Sequence, residues 1–475
     1  MQTNRSAFIT LISVFFFWGF VAASNDILIP VFKEKLNLEQ WQSQMISFAF
    51  YVAYTVGSII YVVISKINGG DILNRLGYKN GIALGLVISA CGTLLFYPAA
   101  ELVSFPLMIT GLFIVALGFS LQQTAANPLA IVMGDPAKGS QRLSLAGGIN
   151  NVGTTIGPLI VGFAIFGSVG NHSSLSDLSS VKFPYLILGL AFLIVAVIFK
   201  FSSLPNKIEP QVDVNEGNLK EEKSLFKYPQ LWMGMIAIFV YVGVEVSTAS
   251  NLPDYMKQHV GIKTEDAAPY ISLFWASLMI GRWTSSVGAF DISKNTKLIL
   301  RIVIPYAAFS VFLLANVIAG HDLTPFYPYS FVILFMIAAD MLSKGNPARQ
   351  LLIYSACGIT ALIIGIISSG LISVYAFISV GLFCSTLWPC IYTLAIAGLG
   401  KQTNQGSSYL IMMIMGGGFI SLLQGWLAGP EVIGITLSYI VGIVCFLYLG
   451  FYGYKSKQIL KNQGIDFDTN ISTSH

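Results

Sequence analysis

The sequence predicts an all-α polytopic membrane protein of fourteen transmembrane helices in two bundles, with both termini cytoplasmic. Three observations predict it. Hydrophobic residues make up 55% of the 475 residues and charged ones 10%, with a mean hydropathy of +0.73, whereas a water-soluble chain carries about a quarter charged residues. The apolar residues gather into runs of about 20, the length that crosses a bilayer as a helix. The basic residues gather on alternate loops.

The first run spans 7–31, just after Arg5. It is too long for a signal-peptide core and no small-residue cleavage site follows, so it counts as a helix. Runs at 42–65, 80–99, 105–133, 143–167 and 182–201 complete a first bundle, residues 1–201. Residues 202–228 hold Pro205, Pro210, five acids and four lysines, the composition of a cytoplasmic linker. Runs at 230–252, 268–290, 298–319, 326–343, 349–367, 370–397, 407–428 and 433–454 form a second bundle, residues 229–454. Residues 455–475 read as a polar, disordered cytoplasmic tail.

Charge tests the count. With the N-terminus inside, 21 of the 26 Lys and Arg residues fall on the inner side, and only Lys33, Lys35, Lys182, Lys257 and Lys263 lie outside. That is the positive-inside bias, and an odd number of spans in either half would scramble it. The net charge of +4 is interleaved with apolar runs and does not point to nucleic acid. The five cysteines all sit in apolar segments, without the spacing of a disulfide framework or a metal motif. No nucleophile elbow, phosphate loop or His/Cys/Asp cluster appears, so neither an enzyme nor a cofactor protein is expected.

Polar residues inside the runs are the informative ones, because in hydrocarbon each needs a partner, another helix or a water-filled cavity. Leu121-Gln122-Gln123-Thr124-Ala125-Ala126-Asn127-Pro128 puts three amides, a hydroxyl and a proline into the fourth run, and Asn150 and Asn151 lie in the fifth. Amides suit a polar solute, since one side chain offers two donors and an acceptor; they equally suit hydrogen bonds between helices. Gln122 and Gln123 stand about 100° apart around a helix, so one of the two faces a given cavity. Phe17, Trp18, Tyr51, Tyr54, Trp275 and Trp388 are candidate aromatic covers for an apolar face of such a solute, with core or lipid packing the plainer reading for each.

Asp26 and Glu245 are the carboxyls expected within membrane spans and able to load a cation; none of the four histidines lies in a span. Asp71 and Arg75, with Arg282 and Asp291, sit near helix ends and read as conformational latches; Asp340 reads as a latch or a surface acid. Asn127-Pro128 and Trp388-Pro389 each precede a cytoplasmic loop and a Gly-rich helix. Two halves joined by a linker suggest a duplicated transporter, with its site at the interface of the halves.

The motifs together resemble the major facilitator superfamily, and within it the fucose–galactose–glucose symporter group. The matching pieces are Ser24-Asn25-Asp26-Ile27-Leu28-Ile29-Pro30, Gly77-Tyr78-Lys79-Asn80-Gly81, the 121–128 stretch and Arg142-Leu143-Ser144-Leu145-Ala146 with Asn150-Asn151-Val152-Gly153. Further on come Tyr241-Val242-Gly243-Val244-Glu245-Val246, Gly281-Arg282-Trp283, Trp388-Pro389-Cys390-Ile391-Tyr392-Thr393-Leu394, and Gly406-Ser407-Ser408 through Gly416-Gly417-Gly418.

The resemblance implies alternating access and symport of a monosaccharide with a cation, usually a proton. It places sugar binding at Gln123, Gln122, Asn127, Asn150, Asn151, Trp388 and Asp26, favouring Gln123 and Asn150 within their pairs, and coupling at Asp26 and Glu245. Two departures stand out. Fucose-transporting members carry a glutamate where this chain has Gln123, which places it closer to the glucose/galactose branch. The runs at 298–343 have no place among twelve core helices, and read as an extra pair facing lipid beside the second bundle. The expectation is therefore a monomeric, multi-pass inner-membrane symporter of a hexose or amino sugar (glucose, galactose, fucose or N-acetylglucosamine), coupled to H+ or Na+, with no cofactor, metal or nucleic-acid partner. The alternatives are an uncoupled sugar facilitator, a drug/proton antiporter, whose cavity would be more apolar, or a membrane enzyme or sensor.

Overall fold

The computed structural model describes residues 5–35, 40–135, 138–166, 179–202, 204–206, 225–262 and 267–468, with side chains described outside 5, 22–47, 158–159, 161–181 and 226. Among the described residues every regular element is a helix. Hydrocarbon allows little else, since each backbone N–H and C=O must be satisfied inside its own segment. Eleven described segments are long and apolar enough to cross a membrane, and a shorter apolar helix covers Ser6–Val21.

The chain divides into two compact units. Unit 1 comprises Met1–Gly134, Ile149–Glu216 and Gly400–Met415; unit 2 comprises Asp135–Gly148, Gly217–Leu399 and Gly416–His475. In chain order the first helices are α1 (Arg5–Lys35), α2 (Gln40–Ile67), the short α3 (Ile72–Leu76), α4 (Tyr78–Leu94), α5 (Phe96–Glu101), α6 (Phe105–Val132), α7 (Gly139–Phe166) and α8 (Ser179–Phe201). Then come α9 (Pro229–Tyr255), α10 (Ala268–Ser286), α11 (Lys294–Ile318), α12 (Tyr329–Ser343), α13 (Pro347–Ile367), α14 (Gly370–Cys384) and α15 (Leu387–Ile396). The last are α16 (Thr403–Met412), α17 (Gly416–Leu427), α18 (Gly434–Ser438) and α19 (Ile440–Asn462).

The units are built alike. In unit 1, α4 packs on α6 and α8, and α2 packs on α6; in unit 2, α13 packs on α14 and α19, and α10 packs on α14. Packing rather than hydrophobicity drives helix association in lipid, so backbones come as close as side chains permit. At the α4–α6 contact a Cβ on Gly118 would stand 2.5 Å from the Gly85 carbonyl oxygen, and one on Gly92 would stand 2.6 Å from that of Gly111.

This pairing scheme leaves α11 and α12 without a counterpart in unit 1. They lie between α10 and α13, packing on both, and they are the runs read from sequence as 298–319 and 326–343.

Three features depart from the hydropathy reading. The run at 370–397 is two helices with a break at Ser385–Thr386, and the run at 407–428 is interrupted by a 3₁₀ turn at Met413–Met415. The last helix ends at Asn462, not 454, because Ser456 and Leu460 are buried while Gln458 and Lys461 beside them are exposed. The residues after it are also placed rather than disordered as far as Asp468. Gln463 exchanges hydrogen bonds with Gln230 (both 3.1 Å), and Asp468 pairs with Lys457 (2.6 Å) and Arg349 (3.3 Å). The Lys457 hydrogen bond holds the Asp468 carboxyl below its ordinary range.

Candidate functional site

In unit 1 the site starts from Pro128. It is buried inside α6 and lacks an N–H, so the carbonyl four residues earlier, that of Thr124, has no partner in its own helix. Ser407 on α16 takes it, its hydroxyl donating to the Thr124 oxygen at 2.8 Å. Asn127 beside the proline is 2% exposed, and its Nδ2 has no hydrogen-bond partner.

The two neighbouring amides do different work. Gln122 is fully buried; its Oε1 accepts from the Trp18 indole N–H at 2.7 Å and its Nε2 donates to the Ser89 hydroxyl at 3.0 Å. It therefore ties α1, α4 and α6 together. Gln123, one residue on, is half-buried and donates to the Tyr54 hydroxyl at 3.0 Å. The two should separate by experiment. Gln122→Leu leaves the buried Trp18 indole N–H unpaired, while Ser89 keeps its bond to the Val115 carbonyl, and is expected to lower stability by about 1–3 kcal/mol, read as a fall in the midpoint of detergent unfolding. Gln123→Leu removes one hydrogen bond rather than two, to the Tyr54 hydroxyl, and is expected to lower that midpoint by less.

Asn150 is also half-buried, and its Nδ2 donates to the Phe15 carbonyl at 2.9 Å. The Gly19 position makes this possible, since a Cβ there would collide with the Asn150 backbone carbonyl. Asn151 points into the packing, 6% exposed. Asp26 lies within α1, and its side chain is outside the described residues.

Unit 2 repeats the proline device. Pro389 frees the carbonyl of Ser385 at the α14–α15 break, and Arg282 on α10 donates its Nε–H to that oxygen at 3.0 Å. The same guanidinium reaches the Tyr241 hydroxyl at 3.5 Å, and Tyr241 donates to the Glu245 carboxylate. The Trp388 ring lies 6.2 Å from that of Tyr241 and 5.8 Å from that of Tyr392, and is half-buried. Trp275, by contrast, is 40% exposed on the outer face of α10.

The residues read as latches do not form one cluster. Arg282 stands with Glu245 as described. Asp291 forms an ion pair with Lys138. Arg75 is exposed on α3. Asp71 caps α3, accepting from Leu73 N at 2.8 Å and Asn74 N at 3.3 Å, and from the Tyr61 hydroxyl at 2.6 Å.

Burial pushes the Asp71 carboxyl above its ordinary range, and those hydrogen bonds offset part of the rise. A raised folded-state pKa favours the neutral form, so this contribution to stability is full below the unfolded pKa and lost as pH rises through the folded value. Asp71→Asn keeps an N-cap and removes the charge. It is expected to unfold no earlier than the parent at pH 7, with a flatter pH dependence above pH ~4.

Asp340 is not at the surface. It is 2% exposed and faces Arg301. Sequence reasoning gave no role to Ser407 and Tyr241, which stand in the matching motifs, or to Ser385. The proline rule points to the freed carbonyls of Thr124 and Ser385, but only the packing shows which side chains take them.

Comparison with known proteins agrees with this architecture. The Major Facilitator Superfamily model matches residues 6–343. The "Glucose/galactose transporter" of Brucella abortus is 32% identical over 449 residues, covering 94% of this chain and 93% of the relative. The "L-fucose-proton symporter" of Escherichia coli is 26% identical over 473 residues, covering 96% and 94%. A crystal structure of the E. coli fucose:proton symporter shares the fold, with a TM-score of 0.71 at 24% identity over 96% of this chain and 99% of that one. With its helices, its two like-built units and these relatives taken together, the chain belongs to the major facilitator superfamily, in the group of fucose, galactose and glucose transporters, and is a multi-pass membrane protein.

Proposed function

We propose that this protein is a cation-coupled symporter of a hexose or amino sugar, working by alternating access in the inner membrane, with a proton as the coupling ion. The observation that carries the reading is the Tyr241–Glu245–Arg282 cluster: a carboxyl inside a membrane helix, hydrogen-bonded by a tyrosine and under the charge of an arginine. A carboxyl so placed is costly, and such groups in transporters mark ion pathways.

Recognition falls to the half-buried amides Gln123 and Asn150, with Asn127 offering an unpartnered donor and Trp388 a ring face. Gln122 and Asn151 hold the wall in place. Asp26 is a second coupling carboxyl on α1. The arrangement is fourteen membrane helices, twelve core and the added pair α11–α12, with both termini cytoplasmic. Residues 1–201 and 229–454 form the two bundles, joined by 202–228, with 455–475 as a tail. No cofactor takes part, and the monomer suffices.

Purified protein in liposomes, offered radiolabelled glucose, galactose, fucose and N-acetylglucosamine under an imposed pH or Na+ gradient, tests the proposal. Accumulation above equilibrium under the pH gradient is expected. Equilibration without accumulation would make the protein a facilitator, and no uptake of any of the four under either gradient would overturn sugar transport.

A further inference from the structure

The added helices α11 and α12 turn a broad apolar face outward, with Ile299, Leu314, Phe331 and Phe335 each more than half exposed. Their inner side is different. Arg301 Nε on α11 lies 3.4 Å from Asp340 Oδ2 on α12, with the two side chains 19% and 3% exposed. Asp340 Oδ1 accepts from Gln350 Nε2 on α13 at 3.4 Å, and Gln350 Oε1 accepts from the Cys390 thiol on α15 at 3.4 Å. Asp340, Gln350 and Cys390 are all 2% exposed or less. A chain of polar contacts thus runs from the added pair, through α13, to the residue next to Pro389.

A pair that only faced lipid would carry neither charge. Ions within a membrane are rare and costly, and a buried ion pair gains little over apolar residues of the same volume. What such a pair supplies is a fixed geometry. The helix at its far end is one that needs fixing: α15 has ten residues and is cut from α14 at Ser385–Thr386. It has a tie at the break, Arg282 to the Ser385 carbonyl, and a tie along its length, Gln350 to Cys390.

We infer that Asp340, held by Arg301, is a positioning residue: it anchors the added helix pair to α13 and, through Gln350, sets the place of the half-helix that carries Trp388. The added pair is thereby a working part of unit 2. The effect on transport rests on the sugar-transport reading; the anchor itself does not.

Cys390 reports the anchor directly. In full-length protein in nanodiscs, a membrane-permeant maleimide is applied and modification is read thiol by thiol by mass spectrometry, with Cys384 and Cys445, both buried, as internal references. Asp340→Asn and Gln350→Leu are each expected to raise the Cys390 rate about tenfold relative to those references, as loss of a buried tie loosens a local segment. In the uptake assay the same two single variants are expected to raise KM several-fold with the maximal rate nearly kept, and Asp340→Glu to restore it. Should Asp340→Asn not fold, Arg301→Gln carries the test, since it removes the charge that holds Asp340 and leaves Gln350 and Cys390 in place. Parent-level Cys390 labelling in the folded variants would overturn the anchor. Raised labelling in a protein that moves no sugar would leave the anchor standing and remove the proposed function.

Discussion

Glu245→Gln is expected to abolish accumulation of sugar above equilibrium while leaving sugar exchange across the membrane. The glutamine keeps the size of the side chain and an oxygen for the Tyr241 hydroxyl to donate to, so the local packing survives. It cannot gain or lose a proton. A tenfold accumulation stores about 1.4 kcal/mol, and a carrier that no longer binds the ion has no source for it. The shift between carrier states needs an ion with different affinity for each. The measurement is paired: uptake under an imposed pH gradient, and counterflow with sugar on both sides and no gradient. Parent-level accumulation in the variant would move coupling away from Glu245, and Asp26 on α1 would be the next carboxyl to replace.

Arg282→Met is expected to reduce uptake about 100-fold, because it removes the partner of three groups at once: the Ser385 carbonyl, the Tyr241 hydroxyl and, through charge, Glu245. Arg282 and Glu245 are half-buried, and a hydrogen bond to a charged group is worth about 1.5–3 kcal/mol. Arg282→Lys is expected to recover little, since a single ammonium lacks the planar fork that serves two acceptors from one position.

The proline gives this prediction its internal check. In Pro389→Ala the new N–H can satisfy the Ser385 carbonyl within the helix, so removing Arg282 from that background should cost less than removing it from the parent. A double-mutant cycle on unfolding midpoints measures the difference, and strict additivity would show that Arg282 does not serve the break. Ser407→Ala with Pro128→Ala forms the same cycle in unit 1, around the Thr124 carbonyl.

Much of the fold was legible because one physical demand, internal satisfaction of the backbone in hydrocarbon, writes itself as apolar length. The spans at 105–133 and 349–367 fall within two residues of α6 and α13. What hydropathy does not record is where a helix stops being continuous. The break at Ser385–Thr386 lies inside one apolar run, Gly370–Ile396, and α19 runs on past 454 because Ser456 and Leu460 stay buried.

For the site, residue type was legible and orientation was not. Gln122 and Gln123 are identical in chemistry, yet one is sealed between Trp18 and Ser89 and the other reaches Tyr54. Arg282, read as a latch from its place near a helix end, stands beside Tyr241 and the broken helix, a neighbourhood that its position in the sequence does not reveal. Asp340, three residues from the end of its helix, could be read as a surface acid because sequence does not show which way a side chain turns; it faces Arg301 inside the unit.

The Arg301–Asp340 pair also bears on how the chain is made. Its two charges sit on consecutive helices, α11 and α12, and α12 is synthesised before α13 or α15. On insertion scales an unpaired Arg or Asp costs about 2.5–3.5 kcal/mol at mid-bilayer, an upper bound for these two, which lie toward the ends of their helices. Each charge therefore meets its opposite in the adjacent leg before any other partner has been translated. The two legs can leave the translocon as one neutral hairpin, and Gln350 and Cys390 arrive later to a carboxylate that is already held.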